Sequence, residues 1–256
     1  MLSDEATLAP LWRRLLWPAA LSALALMVLL ALGTWQLERM AWKQNLIASI
    51  TERLDAAPES LPPAADWKAL DPNEYQYRRV ELKGRYLPSY EQRAYMVVSK
   101  PQGGPHSGQG YWIMTPFETT GGAVVWVNRG FVPNALIEAD FSAGMKSPET
   151  LTGLMRPAEK ANFATPGNED GFDGTMWFVR DPQAMTRQAG LDGAIVAPFF
   201  IDLEAGNAAR LPQAGETRVD FPNRHLGYVV TWYGLALTLS GVFIAYARRE
   251  YKRDQA

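Results

Sequence analysis

The chain contains no cysteine. That excludes a thiolate zinc or copper site, a disulfide framework, haem attached through paired cysteines, and a cysteine nucleophile. Whatever folds here is held by its own core. Histidine is almost as scarce, with only His106 and His225 in 256 residues. A serine–histidine–acid site needs a histidine beside a nucleophile and an orienting carboxylate. His106 precedes Ser107 in a glycine-rich stretch, but sequence adjacency is not that geometry and nothing resembles a nucleophile elbow. An excess of charge of one sign is also missing. With 25 Lys and Arg against 27 Asp and Glu, the formal net charge is −2, which removes nucleic acid as a partner. The methionines are scattered rather than clustered as in a thioether copper site. The acidic run Asn168, Glu169, Asp170 and Asp173 lacks EF-hand spacing and reads as a solvated loop. No nucleophile or metal cluster remains, so the chain is expected not to be an enzyme.

Two stretches lack charge altogether: Leu15 to Leu37, between Arg14 and Glu38, and Leu226 to Ala247, between His225 and Arg248. At 1.5 Å per residue each spans roughly 33 Å as a helix, slightly more than a bilayer core of about 30 Å. Both predict transmembrane helices. The first exceeds the roughly 7–15-residue apolar core of a cleaved signal. Its helical pattern continues over residues 38–55 through Met40, Ile47, Ile50 and Leu54, so it is expected to be retained. Asp4 and Glu5, with no Arg among the first ten residues, argue against a mitochondrial presequence and favour a bacterial chain. Arg248, Arg249, Lys252 and Arg253 place the tail 248–256 in the cytoplasm by the positive-inside bias. Two spans put residues 1–14 on the same side. Residues 38–225 then form a periplasmic domain of a multi-pass inner-membrane protein, since long domains cross largely regardless of charge.

Within that domain, Pro58, Pro62 and Pro63 mark residues 56–66 as a linker. Strands are expected at Tyr77 to Tyr86, Ala94 to Ser99, Tyr111 to Thr119, Ala123 to Phe131, Thr150 to Met155 and Phe199 to Leu203. These runs are rich in β-branched and aromatic residues. Thr120, Gly121 and Gly122 suggest a hairpin turn, and Pro182 to Ala189 a short helix capped by Gly190. Asn128, Arg129 and Gly130 read as a bulge, with Gly130 in a conformation other residues avoid. The fold class is α+β, an antiparallel-sheet-rich domain flanked by two transmembrane helices.

Polar and aromatic residues crowd both membrane edges: Gly33, Trp35, Gln36, Arg39, Trp42 and Lys43 after the first span, and Asn223, Arg224, His225, Tyr228 and Trp232 at the second. An aromatic belt with snorkelling cations accounts for these without a ligand. Along the second span, Gly227, Thr231, Gly234, Thr238, Gly241 and Ala245 fall within an arc of roughly 80°. They predict a close-packing face toward Ala19, Ser22, Ala23 and Gly33 of the first helix. His225, Tyr228 and Trp232 lie on an arc about 130° away, expected to stay free for cargo.

Three strings occur in order: Gly33-Thr34-Trp35-Gln36 with Arg39 and Trp42-Lys43; Val127-Asn128-Arg129-Gly130-Phe131-Val132-Pro133; and Asn223-Arg224-His225 with Tyr228 and Thr231-Trp232. Together they resemble the surfeit locus protein 1 family, the assembly factors of cytochrome c oxidase, from about Leu32 to Ala247. The resemblance implies a factor that assists delivery of haem a to the oxidase's catalytic subunit, with haem a biosynthesis enzymes as further partners. It implies a haem-iron ligand at His225. Tyr228 and Trp232 would wall the macrocycle, and Arg39 and Arg224 would pair with its propionates or face lipid phosphates. The alternative is a protein-only chaperone that stabilises an oxidase assembly intermediate without haem.

Overall fold

The computed structural model describes residues 10–139, 141, 145, 148–163, 165, 176–191, 193–206, 210–217 and 223–255. The acidic run at 168–173 lies outside them. The chain divides into two compact units. One combines residues 1–49 with 220–256, and the other is residues 50–219.

The first unit holds the long N-terminal helix α1 (Leu11–Asp55), which continues into the second unit, and the C-terminal helix α4 (His225–Asp254). Both are long and apolar enough to cross a membrane by length and composition. α1 tolerates Pro18 inside it. Its half-buried and buried positions, among them Leu15, Pro18, Ser22, Leu26, Leu29, Gly33, Gln36 and Met40, recur at three- and four-residue steps, as a helix packed along one stripe requires. The matching stripe on α4 is Val229, Tyr233, Ala236, Ser240, Phe243 and Glu250. The helices run antiparallel, because Arg14 of α1 meets Glu250 of α4 at 3.1 Å whereas Gln36 meets His225.

Among the described residues the second unit contains eight strands: β1 (Glu59–Ser60), β2 (Arg79–Tyr86), β3 (Gln92–Val98), β4 (Gly108–Thr119), β5 (Val124–Pro133), β6 (Glu149–Pro157), β7 (Met176–Trp177) and β8 (Val196–Leu203). Two short helices join them, α2 (Pro72–Tyr75) and α3 (Pro182–Ala189). The strand order is β1-β2-β6-β8-β5-β4-β3-β7, and an added β2–β4 pairing joins Tyr86 to Phe117 and Gly84 to Thr119. That pairing closes β2, β6, β8, β5 and β4 into a small barrel. The sheet is rich in antiparallel pairs, as expected, with β2–β4, β2–β6, β3–β4, β4–β5 and β6–β8 all antiparallel, but it is mixed. β5 and β8 are parallel, as are the pairs β1–β2 and β3–β7.

Alternation along the strands sorts most of the apolar side chains into two large cores, beside a smaller cluster of Ile113, Val132 and Phe141. Val80, Leu82, Phe117, Val125, Val127, Leu151, Met155, Phe199 and Ile201, drawn from all five barrel strands, fill the interior. Trp67 and Tyr75 close one end, each with its ring centroid 5.5 Å from that of Phe199. The opposite faces of β4, β5 and β8 carry Trp112, Met114, Trp126, Phe131 and Phe200 against Ala94, Trp177 and Met185. Covered on both sides, β4 and β5 read as nearly continuous apolar runs.

The hairpin turn forms as expected, with Gly122 at φ +78° and Thr119 N–H donating to the Ala123 carbonyl at 2.8 Å. α3 starts on Asp181, which caps two backbone N–H groups, and ends on Gly190 at φ +68°. The 56–66 stretch differs from its expectation as a linker. β1 lies along β2, Leu61 N–H donates to the Glu81 carbonyl, and the Trp67 indole donates to the Pro62 carbonyl. Its prolines therefore stiffen a strap laid on the sheet rather than a free tether.

Candidate functional site

α4 begins at His225, one residue after Arg224, whose side chain makes no capping hydrogen bond. The imidazole is half-buried, and its Nδ1 lies 2.7 Å from Oε1 of Gln36 on α1. Gln36 is only 8% exposed. Two contacts one turn away fix how the helices meet here. A Cβ on Gly33 would stand 3.0–3.2 Å from the Tyr233 ring, so glycine is what lets that ring lie against the α1 backbone. The Tyr233 hydroxyl then reaches Thr34 Oγ1 at 3.2 Å.

The other residues singled out from the sequence are spread around this pair. Trp232, seven positions after His225 and on the same side of α4, is half-buried, and its buried indole N–H has no partner among the described residues. Asn223 Oδ1 is in the same condition. Tyr228 is 56% exposed. Arg224 and Arg39 are exposed, with the Arg39 guanidinium 4.0 Å from the Trp42 ring centroid. His225 and Trp232 thus sit in the seam between the helices, while Tyr228, Arg224 and Arg39 face outward.

The expected division of α4 into faces is overturned. A Cβ added at Gly227, Gly234 or Gly241 would meet nothing within 4 Å. The Thr231 and Thr238 hydroxyls donate to the carbonyls of Gly227 and Gly234 in their own helix. The small-residue stripe is therefore open, and the seam is made by larger side chains meeting small ones of α1. The α1 half of the expectation stands in part. Ala19, Ser22 and Ala23 face α4, but across a 220 Å³ apolar cavity walled by Leu239, Ser240, Phe243 and Ile244. At the far end the seam closes on ions, where Arg14 binds Glu250 and Asp254, and Arg253 lies 3.5 Å from Glu250.

The string at 127–133 builds the sheet. Between Trp112 and Met114 on β4, paired with Phe131 and Asn128, β5 carries one extra residue, the bulge anticipated at Arg129 and Gly130. Gly130 has φ +134°, and a Cβ there would lie 2.3 Å from the Gln213 carbonyl carbon. Asn128 donates to Asp202, which also accepts from Arg156, Arg180 and Thr217. Burial alone would raise the Glu159 carboxyl, but Arg180 beside it, through charge and hydrogen bonds, holds it below the ordinary glutamate range. Arg129 points to the other layer, onto Glu91 at 3.0 Å and the Phe141 carbonyl, with Tyr86 stacked near it. Burial pushes the Tyr86 phenol far above its usual value, against the opposing pull of Arg129.

His106 contributes its backbone only: its N–H donates to Gln213 Oε1 and its carbonyl accepts from Gln213 Nε2. Glu216 accepts from the N–H groups of Gln102 and Gly103, so the glycine-rich loop is pinned from residues 213–216. Among the described residues no group of three or more His, Asp or Glu side chains could hold a metal ion. Sequence reasoning quoted Gln36 but gave it no role, and passed over Tyr233. The available signal was a lone carboxamide inside an apolar run, which once buried must find a partner.

A family model described as the SURF1 family matches residues 23–237. The chain is 35% identical over 224 residues to human "Surfeit locus protein 1", covering 82% of this chain and 70% of that one. It is 34% identical over 253 residues to a "SURF1-like protein" of Drosophila melanogaster, covering 93% and 77%. A bacterial "SURF1-like protein" from Rickettsia conorii is 27% identical over 226 residues, covering 87% and 88%.

Proposed function

The chain belongs to the SURF1 family, a family of cytochrome c oxidase assembly factors, and from that premise we propose that it is a non-enzymatic membrane protein that holds haem a through His225 for the oxidase's catalytic subunit. The observation that carries this reading is the state of the His225 ring. One nitrogen is engaged by Gln36, and the other has no partner among the described residues. A neutral imidazole with an unclaimed nitrogen is an ordinary haem-iron donor. The rest of the donor set suits a cargo that must leave, because cysteine is absent and no second histidine lies in the same unit.

The surroundings fit a large amphipathic ring. Tyr228 offers an exposed aromatic wall, the half-buried Trp232 ring apolar surface beside His225, and Arg39 and Arg224 exposed guanidiniums for propionates. When bound, the haem would supply the iron that His225 ligates; the chain's own residues hold it and keep it oriented. The basic tail Arg248, Arg249, Lys252 and Arg253 favours a cytoplasmic end for α4. That puts His225 at the opposite edge of an inner membrane and residues 50–219 in the periplasm. Haem a biosynthesis enzymes would supply the cargo at that edge.

The test is haem absorbance in the purified full chain, made in a strain that synthesises haem a, beside oxidase activity in its membranes. His225→Ala is expected to lose the haem and lower oxidase activity while the sheet-rich unit keeps its circular dichroism. Equal haem recovery in variant and wild type would sink the ligand role. Wild type without haem but with full support of oxidase assembly would establish the protein-only chaperone instead.

A further inference from the structure

We propose that Gln36 is a positioning residue for His225: from the first helix it selects the ring tautomer of a residue on the second, so that Nε2 is the nitrogen offered to iron. This rests on the haem reading above. In a neutral imidazole one nitrogen carries the proton and the other a lone pair, and only the lone pair can bind a metal. The Gln36 carboxamide turns its oxygen to Nδ1 at 2.7 Å. An oxygen acceptor requires Nδ1 to be the donor, which leaves Nε2 bare. The opposite tautomer would set two lone pairs against each other unless the carboxamide turned over to present its NH2.

Three features make this hydrogen bond more than an incidental pin between helices. First, Gln36 is nearly fully buried, so water does not compete for its oxygen and the bond is correspondingly strong. Second, nearby on α1 the Tyr233 ring packs on Gly33 and its hydroxyl contacts Thr34, which fixes the two helices against each other at this level. Third, among the described residues the ring makes no hydrogen bond within α4, and Arg224 does not cap the helix beside it. The orientation of His225 therefore depends on a residue of the other helix. Outer partners of this kind fix ring orientation and ligand basicity in metal sites, and their loss commonly weakens metal binding by about 10–100-fold. Moving the helices apart would break the bond, so the same contact would link the strength of the iron ligand to the packing of α1 on α4.

The test uses the full chain in detergent, in a His106→Gln background that leaves His225 as its one histidine. Nitrogen-15 shifts of the ring are recorded well above the ordinary histidine pKa of about 6.5. The expected result is the Nδ1–H tautomer in the Gln36-containing protein and a mixture or reversal in Gln36→Leu. An unchanged tautomer in Gln36→Leu would overturn the proposal, because it would show that something else sets the ring.

Haem-loaded protein gives a second readout. Gln36→Glu, a stronger acceptor, should lower the iron midpoint potential, and Gln36→Leu should raise it and weaken haem retention about 10–100-fold. Identical potentials and retention in all three, with His225→Ala losing haem, would refute the positioning role and leave the ligand reading intact. Retention of haem by His225→Ala would instead remove the ligand reading, and the role of Gln36 toward iron with it. Circular dichroism and antiparallel crosslinking of α1 to α4 separate these outcomes from a failure to fold.

Discussion

Replacing Gly130 with alanine tests the central motif of the sheet-rich unit. At φ +134° this residue occupies a backbone region that is essentially reserved for glycine, and such strain costs about 1–3 kcal/mol. The new methyl would also lie 2.3 Å from the Gln213 carbonyl carbon and 2.6 Å from the Ala214 nitrogen. Both are backbone atoms, so no side-chain rotation relieves the clash, and residues 213–214 must move. That movement breaks the paired hydrogen bonds between Phe131 and Gln213, each 2.8 Å, worth about 0.5–1.5 kcal/mol apiece. Strain and lost bonds together amount to about 2–6 kcal/mol, against a total stability of roughly 5–15 kcal/mol for an ordinary domain. Gly122→Ala is the control. Its φ of +78° is also unfavourable for alanine, but a Cβ there meets nothing within 4 Å, and the expected cost is only about 1–2 kcal/mol. Urea unfolding of the full chain in detergent, followed by tryptophan fluorescence, measures both variants. Because Gln213 also holds the backbone of His106, Gly130→Ala should in addition expose the loop at 101–107 to protease. If the two variants shift the urea midpoint equally and the loop stays protected, then close approach at Gly130 is not what the motif supplies.

The depressed Glu159 carboxyl gives a pH dependence with a definite sign. A folded pKa below the unfolded one contributes stability that is present above about pH 4.3 and lost as pH falls further. The sheet-rich unit should therefore lose urea resistance on that acid side, and Glu159→Gln should be weaker at pH 7 but flatter below pH 4; parallel profiles would contradict the assignment. For the helices, Ala236→Leu should overpack a position only 4% exposed at a cost of about 1–3 kcal/mol. It should reduce crosslinking between Thr34→Cys and Tyr233→Cys, whereas Gly234→Leu should leave that crosslink intact. The reverse ranking would return the small-residue stripe to the helix interface.

The local structure was legible in the sequence wherever a signal repeats within a few residues. β2 alternates Val80 and Leu82 with Arg79, Glu81 and Lys83, and the β4–β5 hairpin is marked by its two glycines. The closure of the barrel was not legible, because Tyr86 meets Phe117 and Val127 meets Ile201 through pairings that no short pattern encodes. The two-residue strands β1 and β7 fall below any periodicity and exist only because a neighbouring strand offers them an edge. Asp202 carried an unused warning: a lone carboxylate in the apolar run Phe199 to Leu203 has to be paired when buried. Arg156 and Arg180 are the partners it finds. At the candidate site the histidine was legible by scarcity and by motif. Gln36 was harder to find, since its partner stands 189 positions away.

The misreading of α4 has a specific cause. Small residues in a membrane helix permit close approach, but permission is symmetrical between any two helices and does not say which helix takes it up. Here close approach is used from the other side: Gly33 of α1 receives Tyr233 of α4, a large side chain entering a gap rather than two bare backbones meeting. Position also follows from polar groups that apolar surroundings cannot satisfy. Gln36 with His225, Thr34 with Tyr233, and Arg14 with Glu250 and Asp254 lie toward the two ends of the paired stretch. Each fixes rotation as well as distance. Thr231 and Thr238 satisfy themselves within their own helix, so they exert no such pull and their stripe can turn away from α1. Rotation of α4 is thus set by groups that need a partner, not by the residues that would tolerate one. The same rotation places His225 beside Gln36, which makes the seam between the helices, rather than an outward face of α4 alone, the place where the ring is held.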